Sequence, residues 1–511
     1  MNHDTDIDII PDYVCGRGGR GRLAPVMLAG TGSDVGKSLI ATGLCRIFLQ
    51  DGYHPAPFKA QNMALNSYAT PDGYEIGRAQ AVQAEAAGIP CSTDMNPLLL
   101  KPSGTHTSQV VLNGKPVGNR DAYQYFRKEG REELRKEVHA AFDRLASVYN
   151  PVVMEGAGSV SEINLRDSDL VNMSMARYAG ADVILVADID RGGVFASAYG
   201  SIMLQDECDR KRIKGIIINK FRGDMRLFEE GRRMMEEICG VPVLGVVPMA
   251  KDIHIEEEDS VALSLKRKSA SECLVNIAVV LVDHISNFTD FDVPEHDPRV
   301  NLYYASTPED LQNADIIILP GSKSTLSDLA ALRKSGLAKG VIEEAKKGKT
   351  IIGICGGYQM MGIDVADPDG VEGDIKILPG LGLLPVHTVL SGEKVTRPVK
   401  FKFLKENEVC EGYEIHMGVS SPEEGGVPVN LLSDGTPDGC MASPKVFGTY
   451  IHGVLDNKAV LDYVLSPYTD LKSDADFDAH EYKERQYDAL ADLLRSCIDI
   501  EKLYKILRRN D

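Results

Sequence analysis

The amino-acid sequence predicts an α/β protein of two domains, each built on a parallel sheet covered by helices. Its 511 residues exceed what one ordinary core organises. From Val26 to about Val261, short β-branched runs alternate with amphipathic stretches, and a second alternation of the same kind begins near Ile277. The polar run Ser264-Leu265-Lys266-Arg267-Lys268-Ser269-Ala270-Ser271 separates the two. These observations divide the chain into a flexible leader (1–23), a first domain (24–262), a linker (263–274), a second domain (275–460) and a helical C-terminal extension (461–511) expected to pack on the second domain.

In the first domain, Val26-Met27-Leu28-Ala29, Val183-Ile184-Leu185-Val186 and Ile216-Ile217-Ile218 read as buried strands. After the first of them, Ile40, Leu44, Ile47 and Phe48 recur at helical spacing, so a strand, a Gly-rich turn and a helix follow in order. In the second domain the expected strands are Ile277 to Val282, Ile316 to Leu319 and Ile351 to Ile354, each closed by residues suited to a sharp turn. Near the C-terminus, Tyr487, Leu490, Leu494, Cys497 and Ile498 share one helical face and predict a packed helix.

Composition narrows the functional classes. Hydrophobic residues at 43% and charged residues at 26% match a soluble globular protein, and no run approaches the roughly 18 apolar residues of a membrane span. Asp4, Asp6 and Asp8 stand where an export signal needs a basic start and an apolar core, so a cytoplasmic protein is expected. Ten cysteines occur singly, without CxxC pairs, which argues against a disulfide framework or structural zinc. The net charge of −19 opposes general nucleic-acid binding, and the Gly16–Arg22 tract reads as part of the leader.

Two motifs carry chemistry. Gly30-Thr31-Gly32-Ser33-Asp34-Val35-Gly36-Lys37-Ser38 lies between a strand and a helix, where backbone N–H groups and the helix N-terminus surround phosphates. Lys37 would reach the β- and γ-phosphates of ATP and Ser38 would hold Mg²⁺. The strict GxxxxGK[ST] pattern wants Gly at position 31, and this chain moves that Gly one place earlier. Glu155 ends the apolar run Val152-Val153-Met154 and is a candidate second metal ligand. The other motif, Thr350-Ile351-Ile352-Gly353-Ile354-Cys355-Gly356-Gly357-Tyr358-Gln359, runs a buried strand into a tight turn with a cysteine at its apex. A following helix N-terminus favours the thiolate there. A cysteine among glycines is by itself more often structural, but two other segments support a nucleophile. Leu319-Pro320-Gly321-Ser322 could offer oxyanion N–H groups, and His452 in Gly448-Thr449-Tyr450-Ile451-His452-Gly453 could serve as acid and base.

Cys355, Gly321 and His452 together resemble the class I glutamine amidotransferases in order and context. That class places a Glu two residues after the histidine to orient the ring. Position 454 here is Val, so the orienting group is unidentified, a lack shared by cobyrinate-type amidotransferases. Glu414 and His416 read as strand residues. The phosphate loop resembles those of dethiobiotin synthetase and the cobyrinate amidases. Between the motifs, Phe58–Ser67, Gly77–Ala81, Met95–Pro102, Glu162–Arg166, Asp190–Phe195, Asn219–Asp224 and Ile285–Asp292 resemble the cobyric acid synthase family from about residue 24 to the C-terminus.

The resemblance implies a P-loop domain followed by a class I amidotransferase-like domain. It further implies ATP- and glutamine-dependent amidation of the b, d, e and g carboxylates of adenosylcobyrinic acid a,c-diamide. Backbone around Thr31, Gly32 and Gly36 would hold phosphates, Asn219 would contact adenine, and Ser38 and Glu155 would hold Mg²⁺. Gly321, Gly356 and Gln359 would form the glutamine and oxyanion site. Lys59, Gln61, Asn62, Asn66, Lys101 and Arg166 would contact the corrinoid. Neither nucleic acid nor membrane is an implied partner, and self-association is left open. Two other readings are cobyrinic acid a,c-diamide synthase and a ParA/MinD-like ATPase switch.

Overall fold

A computed structural model describes residues 21–102, 107–121, 131–250, 252–256, 271, 274–404, 408–423, 426–469 and 478–509. The expected linker falls outside these except at residues 271 and 274, and the expected leader except at residues 21–23.

A parallel sheet covered on both faces requires continuously apolar strands, and Val26–Gly30 (β1) is buried throughout. Helix α1 (Lys37–Gln50) follows a turn closed by Gly36, whose φ of 92° is open to glycine. A Cβ there would also lie 2.0 Å from the Asn219 side-chain nitrogen. Next come β2 (Ala56–Phe58), α2 (Arg78–Ala86), β3 (Val152–Glu155), β4 (Asp182–Asp188), β5 (Ile213–Phe221) and β6 (Val243–Pro248). All six strands are parallel, in the order β6-β5-β4-β1-β3-β2. With β1 central, its C-terminal loop opens between the ends of β3 and β4, the crevice where open α/β sheets bind ligands.

The second domain repeats the principle with β7 (Val275–Val280), β8 (Val300–Ala305), β9 (Ile316–Leu319), α3 (Thr325–Ser335), β10 (Thr350–Ile354) and α4 (Gly356–Met361). A long antiparallel hairpin, β11 (Val386–Phe403) with β12 (Cys410–Pro422), precedes β13 (Cys440–Ser443), β14 (Val446–Thr449) and β15 (Ile451–His452). The main sheet runs β8-β7-β9-β10-β14-β13, with only β13 antiparallel. β15 leaves that sheet and pairs with β12, placing His452 opposite Tyr413.

The domains meet over buried charge. Glu75 of the first domain accepts from Ser67 Oγ at 2.8 Å and from Lys101 Nζ at 2.6 Å, and it also pairs with Lys394 of the hairpin. Burial acts to raise the Glu75 pKa, but the two ammonium groups outweigh it and hold the carboxyl ionised.

Two sequence expectations are corrected. Leu23, expected in the leader, is 2% exposed in the first core; its N–H donates to Asn150 Oδ1, and Ala24 N–H donates to Leu507 O. The C-terminal extension also divides. Leu461, Val464 and Leu465 pack in the second core, whereas α5 (Ala479–Cys497) and α6 (Ile500–Arg508) return to the first domain. The apolar face of α5 was legible, but not the surface that receives it. That surface is α1: Gly43 leaves room for Leu494, and Arg46 pairs with Glu484 and Asp488; just past α1, Tyr53 stacks on Tyr504 of α6. Leu494 is fully buried, so Leu494→Ala should destabilise the first domain by about 2–5 kcal/mol, seen as an earlier transition in urea unfolding. An unchanged midpoint would mean that α5 contributes nothing to that core.

Candidate active sites

Cys355 occupies the junction of β10 and α4 with φ 50° and ψ −108°, a conformation that non-glycine residues seldom adopt and that sets the cysteine at the apex of the turn. Small neighbours make the bend feasible. A Cβ on Gly357 would lie 2.0 Å from Leu319 O, and one on Gly356 would lie 2.8 Å from Ser322 N. Cys355 N–H donates to Thr449 O at 2.8 Å, which fixes β10 beside β14 and brings the histidine segment near. Gly321 faces the same place: a Cβ there would be 3.1 Å from His452 Cε1. The three residues singled out by sequence therefore converge.

His452 is 1% exposed, and its orienting group is Asp290. The ring Nδ1 lies 2.7 Å from Asp290 Oδ2, and because a carboxylate only accepts, Nδ1–H is the donor. The other carboxylate oxygen accepts from Gly453 N–H at 2.8 Å. Tyr413 stacks against the ring with centroids 5.3 Å apart at 22°. Burial acts to lower the His452 pKa, but the Asp290 carboxylate and the hydrogen-bonded Cys355 outweigh it, raising it to about 10. Asp290 lies 162 positions before its partner, so the local spacing that signals a Glu after the histidine gave no sign of it. Glu414 instead pairs with Arg397. His416 stacks on Tyr450 at 3.8 Å, where burial pushes its pKa down to about 4. Gln359 is a brace between elements: Thr325 Oγ1 donates to its Oε1 at 2.9 Å, and its Nε2 donates to Met417 O at 3.0 Å.

In the first domain, Lys37 Nζ bends back to donate to Gly32 O at 3.0 Å and Gly158 O at 3.1 Å. Thr31 N–H is anchored to Val186 O at 3.0 Å, and Asn219 Nδ2 donates to Val35 O at 2.9 Å beneath the loop. Glu155, 1% exposed, is the hub of the site. Its Oε1 accepts from Ser38 Oγ at 2.9 Å and Lys59 Nζ at 2.8 Å, and its Oε2 accepts from Gln83 Nε2 at 2.8 Å. Burial acts to raise the Glu155 pKa, yet Lys59, Gln83 and Lys37 together lower it. An ionised carboxylate beside a hydroxyl fits a hard divalent cation that takes its other ligands from phosphate and water. Among the described residues there is no cluster of three or more His, Cys, Asp or Glu that could hold a metal ion.

A cavity of about 940 Å³ opens beside this loop, lined by residues that include Lys37, Ser38, Lys59, Gln61, Asn62, Glu155, Arg166 and Asn219. Arg166 pairs there with Asp206 at 2.8 Å. Asn66 and Lys101, also expected to contact substrate, stand instead at the domain boundary. Asn66 Oδ1 accepts from Phe288 N–H at 3.3 Å, and Lys101 pairs with Glu75. Their polarity answers the need of a buried interface rather than a cavity wall. Sequence reasoning also missed Arg131 and Glu256, both on the cavity wall. Arg131 opens a helix rich in charged residues to which the sequence attached no role, and Glu256 stands a few residues before the expected linker.

Removing the Asp290 carboxylate takes away the strongest influence that raises the His452 pKa against burial, leaving only Cys355 to oppose it. The imidazolium that would protonate a leaving amine, held up to about pH 10 in the wild type, would then be lost at lower pH. Asp290→Asn should therefore lower kcat for glutamine hydrolysis by roughly 100-fold or more, increasingly so as pH rises from 6 to 9. A pH–rate profile superimposable on the wild type would show that Asp290 does not orient the ring.

Comparison with known proteins agrees with this architecture. Residues 26–261 match the CobQ/CobB/MinD/ParA nucleotide binding domain, and residues 276–460 match the CobB/CobQ-like glutamine amidotransferase domain. Cobyric acid synthase of Phocaeicola vulgatus is 67% identical over 492 residues, covering 96% of this chain and 99% of its own. That of Parabacteroides distasonis is 55% identical over 494 residues, covering 95% of this chain and 99% of its own. Among solved structures, PurLQS from Thermotoga maritima aligns with 38% of this chain and 99% of its own at 18% identity and a TM-score of 0.31. With a nucleotide-binding domain and a glutamine amidotransferase domain in one polypeptide, and relatives matched almost end to end, the chain belongs to the cobyric acid synthase family.

Proposed function

We propose that the chain amidates the b, d, e and g carboxylates of adenosylcobyrinic acid a,c-diamide, drawing ammonia from glutamine and activation from ATP. The observation that carries this reading is the pairing, in one chain, of the Cys355–His452–Asp290 array with a phosphate loop bordering a cavity of about 940 Å³.

At the glutamine site, Cys355 Sγ attacks the side-chain carboxamide carbon of glutamine. Gly321 and its neighbours offer N–H groups to the developing oxyanion. His452 already carries the proton given up by the thiol, and the imidazolium delivers it to the departing ammonia, with Asp290 holding the ring. Water then hydrolyses the thioester to glutamate and restores the thiol. At the other site, the corrinoid carboxylate oxygen attacks the γ-phosphorus of ATP, giving an acyl phosphate and ADP. Ammonia attacks the acyl carbon and phosphate leaves. Lys37 turns from its backbone acceptors to the phosphates, and Lys59 neutralises charge beside Glu155. Mg²⁺ held by Ser38 and Glu155 would supply further charge neutralisation. Lys59, Gln61, Asn62 and Arg166 are the proposed corrinoid contacts, and Asn219 that to adenine.

A ParA/MinD-like switch has no use for a buried Cys355–His452–Asp290 array. Cobyrinic acid a,c-diamide synthase shares the chemistry, and substrate choice separates it. Purified protein given MgATP and glutamine should convert the a,c-diamide through a ladder of four amidations, followed by mass spectrometry. Turnover of cobyrinic acid alone would overturn the assignment. Cys355→Ala should abolish glutamine-dependent synthesis yet keep synthesis from ammonium at alkaline pH, whereas Lys37→Ala should lose both. Product formation by Lys37→Ala would show that ATP acts elsewhere.

A further inference from the structure

The turn that offers oxyanion donors also carries an ammonium group. Between β9 and α3 the chain reads Pro320-Gly321-Ser322-Lys323-Ser324, and hydrogen bonds hold it on two sides. Ser286 N–H donates to Gly321 O at 3.0 Å, Lys323 N–H donates to His284 O at 2.9 Å, and Ser322 Oγ donates to Asp328 Oδ2 at 2.6 Å. So fixed, Ser322 N lies against Gly356, next to the cysteine. One residue on, the partly buried Lys323 ammonium lies in the field of Lys101, Glu75, Glu372 and Cys355. Lys101 takes one Glu75 oxygen and Lys394 the other, so among the described residues Lys323 is left without an ion pair. Burial and Lys101 lower its pKa. Glu372 is its counterpart in sign. Asp367 accepts from Val371 N–H and Glu372 N–H, both at 2.8 Å, and sets Glu372 at the start of α3, where its Oε2 accepts from Leu326 N–H at 3.2 Å. Among the described residues no cation pairs with it, and burial pushes its pKa up to about 7.

Resting on the glutamine-hydrolysing reading of Cys355 and His452 above, we propose that Lys323 and Glu372 bind the α-carboxylate and the α-ammonium of glutamine, and so select a free amino acid as nitrogen donor. Glutamine has a carboxamide at one end and two opposite charges on one carbon at the other. Cys355 and the N–H groups around Gly321 meet the carboxamide. A cation two residues beyond Gly321 and a carboxylate at the head of the next helix meet the two charges. A charge withdrawn from water is costly until it is paired, and a zwitterion answers one of each sign at once. Glu372 also caps α3, but a cap needs only an acceptor, which an uncharged amide supplies equally. The first turn of α3 is itself tied to the nucleophile's helix, through Thr325 Oγ1 and Gln359 Oε1 at 2.9 Å, so the charged and the reactive parts of the site share one rigid support.

Hydrolysis by the full chain of three carboxamides tests this: glutamine, 4-carbamoylbutanoate, which lacks the α-ammonium, and 4-aminobutanamide, which lacks the α-carboxylate. In the wild type each analogue should show a kcat/KM roughly 100-fold or more below that of glutamine. Equal use of either analogue would overturn the proposal. Lys323→Met and Glu372→Gln should each raise the KM for glutamine roughly 30-fold or more, with kcat altered less. The losses should be selective. Glu372→Gln should keep the wild-type kcat/KM for 4-carbamoylbutanoate, and Lys323→Met should keep that for 4-aminobutanamide, because neither variant removes a partner that its analogue uses. An unchanged KM for glutamine in either variant overturns the role of that residue, and an equal loss on all three substrates in a folded variant does the same. If a variant does not fold, the analogue comparison in the wild type decides. Cys355→Ala separates the two levels: glutamine hydrolysis surviving in it refutes the catalytic reading itself, whereas an unshifted KM in Lys323→Met and Glu372→Gln refutes only the assignment of the two charges.

Discussion

The contact between Asp290 and His452 draws the boundary turn, the hairpin and the histidine strand to one point. An imidazolium 1% exposed is costly without a partner, and the carboxylate 2.7 Å away makes it stable there. Holding that carboxylate requires the turn at Asn287–Phe291, which in turn meets Asn66 and Ser67 of the first domain. It also requires β15 to leave the main sheet and pair with the hairpin, so that the ring lies flat against Tyr413. The glutamine site is thus supported from both domains.

The first domain shows the same economy around a different carboxylate. Glu155 gathers a hydroxyl, an ammonium and an amide at one point beside the phosphate loop. Lys59 partly compensates the buried charge, and a nucleotide-bound cation would share that role. β1 at the centre of the sheet is what makes this geometry accessible, because its loop opens between two neighbouring strand ends. Buried charge at the boundary, Glu75 between Lys101 and Lys394, fastens the two halves together.

The parts legible in the sequence were those whose signals are local. β1, β4, β9 and β10 were readable as unbroken apolar runs because strands buried on both faces need no alternation. The phosphate loop and the cysteine elbow were readable because glycine spacing records a backbone shape. Long-range choices were not legible. Asp290 stands far from His452 along the chain, and its surrounding residues signalled a family resemblance rather than a role. The amphipathic face of α5 said that the helix packs, yet only the space at Gly43 and the charges of Arg46 select the first domain as its partner. Asn66 and Lys101 looked like ligand contacts because a polar residue awaiting a substrate and one awaiting another domain have the same sequence signature.

Titration of the His452 imidazole tests the central claim most directly. Nitrogen-15 NMR of protein labelled in histidine, with the resonance assigned by its loss in His452→Asn, reports ring protonation against pH. The Asp290–His452 pair predicts a ring still protonated at pH 8 that titrates near 10. A ring that is neutral at pH 8 and titrates near the ordinary value of about 6.5 would contradict it.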